Sequence, residues 1–115
     1  MAFSPNQVKE ITSMMGTLMQ QMRPPEHIRH QLDLGWKVER QSVFLFEIRP
    51  RWDDPSIIEK YDFAKATWVQ KEKEWHVYWM RANGKWDRYA PLKSVVNLQR
   101  FIIEIERDLY GCFRG

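Results

Sequence analysis

An α+β fold is predicted for this chain: a five-stranded, mainly antiparallel meander sheet flanked by an N-terminal and a C-terminal helix. Three observations predict it. Apolar residues recur at helical spacing only near the two ends. Between them, runs of residues alternate polar and apolar. The links between those runs are too short for crossover helices, so neighbouring strands must pair antiparallel. Residues 1–115 then form a single domain, with a helix over 1–23, the meander over 28–90 and a helix over 94–110.

The elements follow in order. Ser4-Pro5 reads as an N-cap followed by proline in the first turn. Val8, Ile11, Met15, Leu18 and Met22 make one stripe at three-four spacing, which Met14 and Met19 widen. Arg23-Pro24-Pro25 ends the helix. After a short helical turn over 26–31, Leu32, Leu34, Trp36 and Val38 alternate in a half-buried strand that starts near His30. The second strand, over 43–51, puts Phe44, Phe46 and Ile48 on one face and Val43, Leu45, Glu47, Arg49 and Arg51 on the other. The sequence leaves open which face is buried. Residues 52–62 read as irregular, with a turn at Asp53-Asp54-Pro55 and a helical turn over 56–60. The third strand covers 63–70, followed by a charged turn over 71–74.

The clearest local signal is Asn83-Gly84 between the aromatic-rich runs 75–82 and 85–89, a hairpin signature. A two-residue turn sets Arg81 opposite Trp86, Trp79 opposite Arg88, and Tyr78 opposite Tyr89. Pro91 breaks the sheet. Ser94 or Asn97 caps a last helix with Leu98, Phe101, Ile102 and Ile105 inward, and Gly111 stops it.

Composition narrows the function classes. The 115 residues suffice for a core, and six tryptophans can close one. The lone Cys112 excludes an internal disulfide and any multi-cysteine zinc site, and suits a reducing cytoplasm. No apolar run approaches ~18 residues, so no membrane helix is expected. The first residues lack the pattern of a secretory signal. The net charge of +3 permits polyanion binding without demanding it.

A set of short stretches carries a resemblance. They are Arg23-Pro24-Pro25, Gln31-Leu32-Asp33-Leu34-Gly35, Gln41-Ser42-Val43 and Phe46-Glu47-Ile48-Arg49-Pro50-Arg51-Trp52. Further on come Ala64-Lys65-Ala66-Thr67, Val77-Tyr78-Trp79-Met80-Arg81-Ala82, Lys85-Trp86, Tyr89-Ala90-Pro91 and Gly111-Cys112-Phe113. Over roughly residues 23–115 the chain resembles the bacterial domain-of-unknown-function family three thousand and twenty-four. The resemblance implies a small, free-standing bacterial protein and carries no activity.

The leading functional expectation is a non-catalytic binding module for nucleic acid. Trp79, Trp86 and Tyr89 would stack on bases while Arg49, Arg51, Arg81 and Arg88 meet phosphates. If Phe44 and Phe46 face the helices, Lys65 joins Arg49 and Arg51 on the outer face. The competing structural reading turns Trp75, Val77 and Trp79 into the core. A first alternative is a protein-interaction module or homodimer that uses the Met-rich first helix. A second is a metal-dependent nuclease-like enzyme centred on Glu47, with Asp33 and Lys65 on neighbouring strands. Against it, the step Glu47-Ile48-Arg49 supplies arginine where the chemistry wants a lysine near the attacking water. His27 and His30 have helical spacing but no third ligand, His76 reads as a packed histidine, and no metal site is expected. Cys112 reads as a buried small side chain that docks the C-terminus. No phosphate-cradling glycine loop is present, so no cofactor is expected.

Overall fold

The computed structural model describes residues 3–113. Helix α1 spans Pro5–Met22. The Ser4 hydroxyl accepts from the Gln7 N–H while the Gln7 side chain accepts from the Ser4 N–H, so two orphan donors of the first turn are satisfied reciprocally. Ile11, Met15, Leu18 and Met19 are buried along one stripe. The helix stops at Arg23, whose guanidinium forks onto Asp33, Nε at 2.8 Å and Nη2 at 2.7 Å. That pair clamps the helix end to strand β1, Asp33–Glu39. The strand starts after His30, because the Ile28 carbonyl accepts from both the Gln31 and the Leu32 N–H and prolongs the turn.

Strands β2 (Ser42–Pro50), β3 (Ile58–Val69), β4 (Glu74–Met80) and β5 (Trp86–Arg88) follow. They pair in sequence order and antiparallel, as the meander predicts. A sixth strand, β6 (Ser94–Val95), was not expected. After the turn Ala90–Leu92 the chain returns to the edge of β4, opposite Trp75 and His76. The sheet is therefore six-stranded. β3 also begins earlier than the sequence suggests. Its register jumps from Leu45 opposite Ala64 to Phe46 opposite Asp62, so Phe63 is an extra residue in a bulge. Phe63 and Ala64 are both buried, which erases the period-two pattern there. Helix α2, Leu98–Arg107, is capped by the Asn97 side chain and ends at Asp108, which adopts a left-handed φ of 43°. It is shorter than the expected 94–110.

Both helices lie on one face of the sheet. Val43 and Leu45 stand opposite Ala66 and Ala64, and Val77 stands beyond Ala66. The small alanines leave room for Met15, Leu18, Phe101 and Ile105, all of which are buried. Glu104 is the buried charge in this core. It accepts from the Tyr89 hydroxyl at 3.0 Å and from Arg100 at 2.8 Å. Phe113 closes the bottom against the Tyr89 ring, with centroids 4.6 Å apart, and Cys112 packs beside it. Cys112 is half-buried rather than buried as expected; burial, and secondarily Asp108, push its thiol up.

Candidate functional site

The hairpin signal holds, but the turn is one residue longer than expected. Arg81 N–H bonds to the Lys85 carbonyl, and Gly84 N–H bonds to the Arg81 carbonyl. The loop is therefore Ala82-Asn83-Gly84, with Gly84 at φ 80° in the left-handed position such loops require. Asn83 Oδ1 accepts from the Lys85 N–H and fixes the exit. The register becomes Tyr78 opposite Arg88, Trp79 opposite Asp87 and Met80 opposite Trp86. A slip of one residue sends each β5 side chain to the other face. Trp86 and Arg88 leave the neighbourhood of Trp79 and join Tyr78 on the face without helices.

That open face carries Phe44, Phe46, Tyr78 and Trp86, interleaved with Lys37, Lys60, Lys65 and Arg88. Lys65 Nζ lies 4.5 Å from the Tyr78 ring centre, 4.7 Å from Trp86 and 5.8 Å from Phe44. Burial among these rings lowers its pKa, while Asp62 pulls the other way. Lys37 sits 5.2 Å from Phe44, Lys60 5.1 Å from Phe46, and the Arg88 guanidinium 5.6 Å from Tyr78. Arg88 is held in place by bonds from Nη2 to the Lys93 carbonyl and to the Ser94 hydroxyl. Carboxylates are present too: Glu39 and Asp62 both approach Lys37, at 3.4 and 3.7 Å. Phe46 is 5% exposed because its ring lies over Gly35 on β1, opposite it in register.

The expected site residues divide. Trp86 and Arg88 lie on the open face. Trp79 lies on the helix side and packs against the core. Tyr89 is fully buried with its hydroxyl on Glu104, so it offers no stacking surface. Burial first, and the Glu104 bond second, hold its phenol far above the ordinary tyrosine range. Arg81 sits at the turn with Nη1 3.5 Å from Asp87. Arg49 is on the helix-side parity of β2 and stacks on Tyr61 at 4.6 Å. Arg51 lies past the strand and forks onto Asp53 at 3.0 and 2.7 Å. The two arginines leave the site because β2 buries Val43 and Leu45 and turns Phe44 outward. That orientation also brings in residues the sequence reading did not select: Phe44, Phe46, Tyr78, Lys37 and Lys60. The available signal was the register of small residues, Ala64 and Ala66 inward and Gly35 beneath Phe46.

The nuclease-like set does not assemble. Glu47 shares the helix side with Tyr61, whereas Lys65 is on the open face, and Asp33 is occupied by Arg23. A concavity of about 380 Å³ lies elsewhere, between α1, Trp68, Trp75 and Val96 on the helix side.

No helix among the described residues is long and apolar enough to cross a membrane. No curated protein and no solved structure matches the chain. A family model described as Domain of unknown function (DUF3024) matches residues 3–115. The match covers nearly the whole chain, and the protein belongs to this family of unassigned function.

Proposed function

We propose that the open face of the sheet binds single-stranded nucleic acid without catalysing a reaction on it. The observation that supports this is the alternation of half-buried rings (Phe44, Tyr78, Trp86) and cations on a face no helix covers. Bases would stack on Trp86, Tyr78 and Phe44, while phosphates would take the ammonium groups of Lys37, Lys60 and Lys65 and the Arg88 guanidinium. Trp86 and Arg88 remain from the set the sequence suggested and the other residues change, but the chemistry is the same. The single free cysteine suits a cytoplasmic setting.

Fluorescence anisotropy of labelled single strands and duplexes, titrated at several salt concentrations, tests the reading. Four phosphate contacts would give a slope of log affinity on log salt near −3 for a single strand. Trp86→Ala should weaken binding by roughly 5- to 150-fold, the range for one lost stacking contact. Arg51→Ala, off the face and held by Asp53, should leave affinity near the wild type. Salt-insensitive binding, or an unchanged affinity in Trp86→Ala, overturns the proposal.

A protein partner or second copy is the other reading, and its surface has moved. Most of the Met-rich stripe of α1 is inside the fold: Met15, Leu18 and Met19 are buried and Met14 and Met22 half-buried, with Val8 left exposed. Among the exposed apolar groups, Trp52 (94% exposed), Ile57 and Ile58 fall together at the β2–β3 turn, while Val8, Val96, Leu109 and Tyr110 lie elsewhere. Concentration-dependent mass in solution that Trp52→Ala abolishes would favour this reading.

A further inference from the structure

The turn between β3 and β4 gathers groups that the nucleic-acid reading does not use. The N–H groups of Glu72 and Lys73 both bond to the Val69 carbonyl, at 3.1 and 2.8 Å, and Lys73 adopts a left-handed φ of 53°. Beyond the turn, Glu74 and His76 are two residues apart on β4 and share one face. β4 is an interior strand here, with His76 between Thr67 of β3 and Ser94 of β6. The imidazole is therefore held on rigid backbone, and its side chain is only 16% exposed. Its Nε2 lies 3.1 Å from the Glu72 carboxylate and 3.6 Å from that of Glu74. The three donor atoms all lie within 4.8 Å of one another.

Hydrogen bonding alone serves this set poorly. Nε2 carries at most one proton, which satisfies one carboxylate and leaves the second beside a like charge. A cation at the common point would serve all three donors. A tetrahedral zinc ion with bonds of about 2.0–2.2 Å has donor-to-donor edges of about 3.3–3.6 Å. The two His76 distances, 3.1 and 3.6 Å, bracket that range.

We propose that Glu72, Glu74 and His76 form a binding site for a divalent transition-metal cation, with zinc as the best fit. One imidazole nitrogen and two carboxylate oxygens suit zinc, cobalt or nickel, whereas magnesium prefers oxygen donors alone. Three protein donors leave a fourth position for water or an exchangeable ligand. The positive charge of Arg88, felt at Glu72, and those of Lys71 and Lys73 on the turn oppose cation binding and moderate the affinity.

Zinc titrated into chelator-treated full-length protein, followed by calorimetry at neutral pH, tests the site. One saturable equivalent is expected. Glu74→Gln and His76→Gln should each weaken binding by about tenfold or more, and magnesium in excess should not compete. His27→Gln, outside the cluster, should leave it unchanged. Thermal melts of the metal-free variants separate folding from binding. If His76→Gln does not fold, Glu72→Gln and Glu74→Gln, both on partly exposed side chains, decide the matter. Absence of saturable zinc binding, or wild-type affinity in the glutamate variants, overturns the proposal.

Discussion

Gly35→Ala tests the assignment of the open face through stability alone. A Cβ built on Gly35 would stand 2.6 and 2.7 Å from Cε1 and Cζ of Phe46. Two effects oppose each other. Alanine in a strand loses less chain entropy on folding than glycine, a gain of roughly 0.5–1 kcal/mol. The overlap with the ring works the other way, and forcing atoms into a filled space costs about 1–3 kcal/mol. The ring has nowhere cheap to go. Lys37 and Lys60 flank it, at 5.8 and 5.1 Å from its centre, and moving it into water would forfeit about 1.5–3 kcal/mol of burial. The clash wins, and Gly35→Ala should lower stability by roughly 0.5–2 kcal/mol in urea unfolding followed by circular dichroism. In a Phe46→Ala background the same substitution should be neutral or stabilising, because only the entropy term remains. The double-mutant cycle should give a coupling of about 1–3 kcal/mol. If Gly35→Ala raises the urea midpoint of the wild type, Phe46 does not lie over Gly35 and the open face is wrongly assigned.

Other consequences are as direct. Tyr89→Phe leaves the buried Glu104 carboxylate with one donor fewer, and should cost about 1.5–3 kcal/mol in the same assay while leaving oligonucleotide affinity unchanged. Asp33 titrates below its ordinary range, chiefly because of the Arg23 fork, which outweighs the opposing effect of burial and is helped by the Leu34 N–H. A carboxylate whose folded pKa is depressed stabilises the fold above its unfolded pKa of about 3.9, and that stability is lost as pH falls through the folded value. Urea midpoints of Asp33→Asn should therefore depend less on pH than those of the wild type between about pH 5 and pH 2.

How much of this was legible in the sequence depended on whether the deciding interaction was local. The N-cap at Ser4, the stop at Arg23-Pro24-Pro25 and the Asn97 cap, which the sequence offers beside Ser94, are short-range, and the sequence reaches each of them. The meander order was legible as well, because short links leave antiparallel neighbours little choice. The candidate face was harder, because it rests on the parity of β2 and β5. Both Phe44 with Phe46 and Val43 with Leu45 read as inward sets, and only the alanines across the register decide between them. For β5, Asn83-Gly84 predicts a turn but not its length, and one extra loop residue exchanges Tyr89 for Arg88 on the open face. The bulge at Phe63 and the return of β6 depend on partners distant in sequence, which alternation within one strand does not encode.

The two faces of the sheet solve the same problem in different ways, and the difference sets what the open one can hold. On the helix side, apolar area is removed from water by α1 and α2. On the open side, Phe44, Phe46, Tyr78 and Trp86 are sheltered by the stems and cationic heads of lysine and arginine. Each such contact contributes only about 0.5–1 kcal/mol at an exposed site, so the shelter is stable and yet displaceable. A neutral aromatic ligand would have to move Lys65 off Tyr78 and Trp86 and give its ammonium nothing in return. A ligand that carries both a flat ring and an anion replaces the ring contact with stacking and the cation contact with an ion pair. On the proposed reading the face would discriminate by chemistry against ligands that have only one of the two groups, and the successive bases and phosphates of a single strand would supply both repeatedly. It follows that Lys65→Met, which retains the stem and removes the charge, should leave the fold intact, weaken oligonucleotide binding and flatten its salt dependence by about one phosphate contact.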